Sequence, residues 1–283
     1  ALTAWYAEYH PTEPPPPPSP SAPGYLLIGL EPKDDRGRVA IMAELHKDGS
    51  VTTDLLSPNT VGSIDEPDET LYKPLSEAIK KAQKVKTIEV FLSWQHLCRP
   101  VHEWKANAGL GATALKKFRG TVVRSLDRAM LEDFADEWFD TLEEQWVRLQ
   151  EFNAGPDCDC CHDIPVLKCD ELDAQINDDS KYPIFKLLTV LPDDEDDRQA
   201  LLTTLLYAGM PVWFWAYDAP DVETFSAAIN QLLSAVILKE VATLAETIRK
   251  RRKDLPNLGV LFDCPTRRPA FASVSPYRQP PAA

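Results

Sequence analysis

Apolar and polar positions along the chain change period several times, and each change predicts an element. Three short runs at 25–30, 38–45 and 50–56 read as strands. The last two are separated by Asp48-Gly49, which tolerates positive φ, so the trio predicts an antiparallel meander with a tight hairpin. Leu71, Leu75, Ala78, Ile79 and Ala82 then recur at helical spacing, and Thr87 to Leu92 is strand-like again. From Ser93 to Phe118 the pattern weakens around Trp94, Trp104 and a Gly109-Leu-Gly111 turn, which lacks the spacing of a phosphate loop. Gly120 opens a β-branched run, and Leu131, Phe134, Ala135, Trp138, Leu142, Trp146 and Leu149 mark one face of a long helix with both tryptophans in the core.

Tyr182 to Leu191 predicts the next strand. The acidic run Asp193 to Asp197 precedes Leu201, Leu202, Leu205 and Leu206, and so suits a helix start, where negative charge meets the positive end of the dipole. A strand over Pro211–Ala216, a helical region from Val222 towards Arg252 and a last strand over Leu258–Phe262 complete the series. Strands alternating with helices from residue 70 onward predict an α/β fold: a mainly parallel sheet flanked by helices, with the meander at its N-terminal edge. Residues 1–24, with prolines from Pro14 to Pro18, favour polyproline II and form a linker, residues 25–269 form a single domain, and 270–283 form a flexible tail. A linker at the front and Ala1 in place of Met imply a further module upstream.

Several apolar runs end in charged residues that a strand interior would exclude. Arg124, Asp127 and Arg128 close the run from Gly120, Asp218 follows Trp215, and Asp263, Arg267 and Arg268 follow Phe262. In open α/β sheets ligands gather outside the carboxyl ends of strands, so these seven residues are expected near one rim. Arginine offers a planar fork for carboxylate or phosphate, and a nearby aspartate can orient it or act as a base. The same composition suits a buried ion-pair network. Nucleophilic chemistry has thinner support: no GxSxG elbow is present, His96, His102 and His162 are scattered, and Cys264 reads as a small packed thiol.

Composition narrows the partners. The formal net charge of −14, from 30 Lys and Arg against 44 Asp and Glu, repels nucleic-acid backbones and anionic membranes. The one basic cluster, Arg249 to Lys253, ends a helix, where cations suit the dipole. No apolar stretch approaches the roughly 20 residues of a membrane span, and no signal segment opens the chain, so a cytoplasmic location is expected. Four of the six cysteines fall between Cys158 and Cys169. Cys158, Cys160, His162 and Cys169 could supply a tetrahedral structural zinc, although the spacing is irregular; no other cofactor is expected.

Five segments in order carry a resemblance: Ile88-Glu-Val-Phe-Leu92, Val122-Val-Arg-Ser-Leu-Asp-Arg128, the Trp138 to Arg148 helix, Ala208-Gly-Met-Pro-Val-Trp-Phe-Trp215 and Leu258-Gly-Val-Leu-Phe-Asp-Cys-Pro-Thr-Arg267. Together with Tyr25 to Pro32 they resemble VMAP-C, the C-terminal domain of vWA-MoxR-associated proteins. The resemblance implies a role in bacterial conflict systems beside a MoxR-type ATPase and a vWA-domain protein, with a variable upstream effector such as a trypsin-like peptidase. It supplies no catalytic set. The expected role is therefore a regulatory or docking domain. A hydrolase with Arg124, Asp127, Asp263 and Arg267 around a strand-end pocket and a small-anion or nucleotide sensor are the alternatives.

Overall fold

The computed structural model describes residues 24–34, 36–83, 85–107, 109, 111–130, 135–151, 161–164, 183–218, 221–234 and 241–273; at 135–139, 151, 161–164, 234, 241–242 and 273 only the backbone is described. Twelve strands are present among them: β1 (Tyr25–Pro32), β2 (Arg38–Lys47), β3 (Ser50–Thr52), β4 (Val61–Ser63), β5 (Thr87–Leu92), β6 (Lys105–Asn107), β7 (Ala112–Ala114), β8 (Gly120–Ser125), β9 (Cys161–Ile164), β10 (Ile184–Val190), β11 (Val212–Ala216) and β12 (Leu258–Phe262). The helices are α1 (Tyr72–Ala82), α2 (Leu126–Met130), α3 (Ala135–Glu151), α4 (Glu195–Tyr207), α5 (Val222–Ser234) and α6 (Val241–Arg251).

All strands but β6 and β7 join one sheet in the order β3-β2-β1-β5-β8-β12-β11-β10-β9, with β4 also on β2. β1, β5, β8 and β12 run parallel, as do β9, β10 and β11, and the two blocks meet antiparallel at the β11–β12 seam. The expected α/β fold with an N-terminal meander is the one present. Asp48 and Gly49, both at positive φ, make its hairpin. Strands β5, β8, β11 and β12 are buried at every position, because helices and loops cover both faces.

One face packs Ile88, Val90, Leu92 and Val123 against α1, α4 and the segment from Leu97 to Leu115. The other packs Val122, Val260 and Phe262 against α3, α5 and α6. Gly120 permits that second contact, since a Cβ there would sit 2.7 Å from the Ala245 carbonyl carbon of α6. The acidic run starts α4 as expected: Asp194 is its N-cap, accepting from the Asp196 and Asp197 amides at 3.0 Å.

Two departures from the expected alternation matter here. The crossover from β5 to β8 carries 3-10 turns and the β6–β7 hairpin where a helix would be usual, because Pro100, Gly109 and Gly111 interrupt any helical run. Beyond β12, Ala270–Ser273, placed in the tail by the sequence pattern, forms a 3-10 turn. The strap from Asp263 to this turn crosses the outer face of β5, β1 and β2. Together with α2 it covers Leu27 and Phe91, and Phe271 is buried between them.

Candidate functional site

β8 and β12 are neighbours in the sheet although 132 residues (126–257) separate Ser125 from Leu258, and they mark the place where the two chain halves meet. Their carboxyl ends bring Arg124, Asp127 and Arg128 to Asp263 and Arg267, so five of the seven expected residues share a rim. Arg124 is on the α3–α6 face of the sheet, next to Phe91 in the β5 register. Its guanidinium is buried and donates to Glu89 Oε2 at 2.8 Å, Asp263 Oδ1 at 3.4 Å, the Arg267 carbonyl at 2.8 Å and the Cys264 carbonyl at 2.6 Å. The Phe91 ring lies 4.6 Å beneath it. Burial alone would depress this guanidinium's pKa; Glu89 and Asp263 reverse that and raise it.

Arg128 does different work. It donates to Asp263 Oδ2 at 2.8 Å and to three carbonyls, of Leu205 at 3.2 Å, Leu206 at 2.7 Å and Met210 at 3.0 Å. Leu205 and Leu206 belong to the last turn of α4 and Met210 to the turn that follows, where the helix dipole is negative. A guanidinium there neutralises that end and adds donors to carbonyls of which Leu206 and Met210 also accept from Gly209 N and Trp213 Nε1. Asp263 is shared by the two arginines and also accepts the Ser125 amide at 3.1 Å. One carboxylate thus ties β8, β12 and the α4–β11 turn together.

Arg267 returns over the strap, donating from Nε to Glu89 Oε1 at 2.8 Å with its guanidinium 4.0 Å above the Tyr25 ring. Glu89, fully buried in β5, therefore holds two arginines. Sequence reading missed it, although a lone carboxylate inside a buried strand requires a cationic partner. Glu44 was missed as well. It is buried on β2, accepts the Ala270 amide at 2.9 Å and the Phe271 amide at 3.2 Å, and meets His46 Nε2 at 2.5 Å.

Asp218 does not join the group. β11 runs antiparallel to β12, so its carboxyl end points to the opposite rim, and Asp218 lies exposed beside Asp221 and Asp254. Arg268 is exposed on the outside of the strap. Of the proposed zinc ligands, Cys158, Cys160 and Cys169 lie outside the described residues, and of His162 only the backbone in β9 is described.

Asp127 differs from the committed pairs. Its Oδ2 accepts the Trp94 amide at 2.7 Å, and burial, reinforced by Asp263, pushes its pKa up to about 6 against that hydrogen bond. In the unfolded chain it titrates near 3.8. Between those values the folded state holds more proton, so this group's contribution makes stability fall as pH rises through the window. Asp127→Asn, whose amide oxygen can still accept from Trp94, is expected to raise Tm at pH 7, leave it unchanged near pH 3.5 and flatten the slope between. Thermal unfolding across pH 3.5–7.5 checks this; an equal shift at every pH would contradict it.

Chemically, the rim is an internally paired ion network: two carboxylates and three guanidiniums directed at one another and at main-chain carbonyls, with Arg267 Nη2 ion-paired to Glu89 at 2.8 Å but making no hydrogen bond. The family model for the vWA-MoxR associated protein C-terminal domain, VMAP-C, matches residues 35–268. The chain belongs to the VMAP-C family. That match begins just after β1, spans β2 to β12 and contains the arginine network, and it links the chain to vWA-MoxR systems. No curated protein and no solved structure matches this VMAP-C chain. Among the described residues, no helix is long and apolar enough to cross a membrane, and no group of three or more His, Cys, Asp or Glu could hold a metal.

Proposed function

We infer that this VMAP-C domain is a regulatory or docking module rather than a catalyst. It couples an upstream effector, such as a trypsin-like peptidase, to a MoxR-type ATPase and a vWA-domain partner of a cytoplasmic bacterial conflict system. The observation that carries this reading is the internal commitment of Arg124 and Arg128. Their donors are spent on Glu89, Asp263 and five main-chain carbonyls of this chain, so they offer no open fork to a substrate phosphate or carboxylate. A net charge of −14 supports association with basic protein faces.

Co-purification tests the reading. Tagged protein co-expressed with the ATPase and vWA protein encoded beside it is expected to retain both, with retention changing between ADP and a non-hydrolysable ATP analogue. Absence of both partners in the nucleotide-free, ADP and ATP-analogue states would overturn it.

A further inference from the structure

The outer edge of β2 is interrupted. β4 pairs with Arg38–Ala40 and β3 with Leu45–Lys47, which leaves Ile41 to Glu44 without a strand partner on that side. The connection between β3 and β4 bows around the gap and touches it where the Ile41 amide donates to the Thr60 carbonyl at 2.8 Å. Amide and carbonyl directions alternate along a strand. An outward Ile41 amide therefore turns the Ala43 amide and carbonyl outward too, and the register shows them engaged by neither β3 nor β4.

Beside this edge opens a cavity of about 470 Å³, bounded by Met42, Ala43 and Glu44 of β2, by Asp54 and Leu56 of the bowed connection, and by Phe271 of the strap. That volume suits a small ligand or a few peptide residues, and an outward strand edge selects an extended chain. The charge of the slot selects its sign: Glu31 and Lys33 pair with each other at 3.3 Å and Glu44 is spent on the Ala270 and Phe271 amides, so the exposed carboxylate of Asp54, on a chain of net charge −14, is the one that faces an occupant. Val51 and Val61, each 49% exposed, flank the slot on β3 and β4 and can meet apolar side chains of such a segment.

We propose that this slot receives an extended basic peptide segment of a partner protein, whose backbone pairs with Ala43 while a lysine or arginine side chain faces Asp54. The proposal rests on the docking reading and names its surface. The position also gives the occupant a route to the rest of the molecule. Phe271 and Ala270 form one wall, and the strap that carries them is the one held by Arg124, Arg267 and Glu44.

Fluorescence anisotropy with the full chain and a labelled Val-Lys-Val-Lys-Val peptide tests it, with Val-Glu-Val-Glu-Val as control. The basic peptide is expected to saturate and the acidic one not. Asp54→Lys, which reverses an exposed charge, and Ser57→Trp, which fills the slot from the bowed connection, are each expected to weaken binding by about tenfold or more without moving Tm. Absence of saturation, equal binding of the acidic peptide, or unchanged affinity in both variants would overturn the proposal. The two levels separate cleanly. If the ATPase and vWA protein co-purify while the peptide does not bind, the slot falls and the docking reading stands; variant-sensitive peptide binding with neither protein retained gives the reverse.

Discussion

Arg124→Ala is expected to destabilise the domain by about 3–5 kcal/mol, the range found when one partner is removed from a buried ion pair. Glu89 and Asp263, both buried, would each lose a hydrogen bond, the Arg267 carbonyl would lose its donor, and the Cys264 carbonyl would keep only the Arg267 amide. For a domain of this size the fall in Tm should be on the order of 10 °C. Arg124→Lys should recover little of it, because one ammonium cannot span acceptors on β5, β12 and the strap. Chemical denaturation of both variants is the measurement. If Arg124 faced a ligand instead, either substitution would leave the unfolding midpoint in place and alter only binding.

Phe271→Ala should cost about 2–4 kcal/mol, as expected for a large apolar side chain removed from a site that relaxes only in part. The Phe271 ring stands edge-on to Phe91 with centroids 5.6 Å apart and occupies the space above Gly29, where a Cβ would come within 2.6 Å of it. Its removal also loosens the turn whose amides satisfy Glu44. The expected signature is local as well as global. Amide exchange at Ala270 and Phe271 should accelerate by far more than at Val90 or Val123 in the central strands. Equal acceleration everywhere would mean that the strap does not open as a separate unit.

Most of the sheet was legible because its central strands are buried on both faces and therefore read as continuous apolar runs. Leu258–Phe262 and Thr87–Leu92 coincide with β12 and β5 at both ends. The rim was legible for the same reason, since Arg124 and Asp263 stand where commitment to packing changes character. Asp218 shows what the pattern lacks. Its run looks like the others, yet a run of apolar residues carries no sign for the direction in which its neighbours travel, and the β11–β12 seam reverses that direction. Glu89 and Glu44 were passed over as interruptions within apolar strands. Besides Arg124 and His46, their partners Arg267 and the Ala270 amide arrive from 178 and 226 residues away, beyond the reach of any local period. β9 lies in the cysteine-rich stretch and is only four residues long, too short for alternation to distinguish from a loop.

The antiparallel seam also has a kinetic consequence. β12 comes last along the chain yet occupies the middle of the sheet, with β8 on one side and β11 on the other. During synthesis, then, both parallel blocks emerge with an open hydrogen-bonding edge that only the final strand can close. Until it arrives, each block is a template for mispairing, and such distant pairings form slowly. Assembly of this protein inside a cell should accordingly be sensitive to chaperone supply.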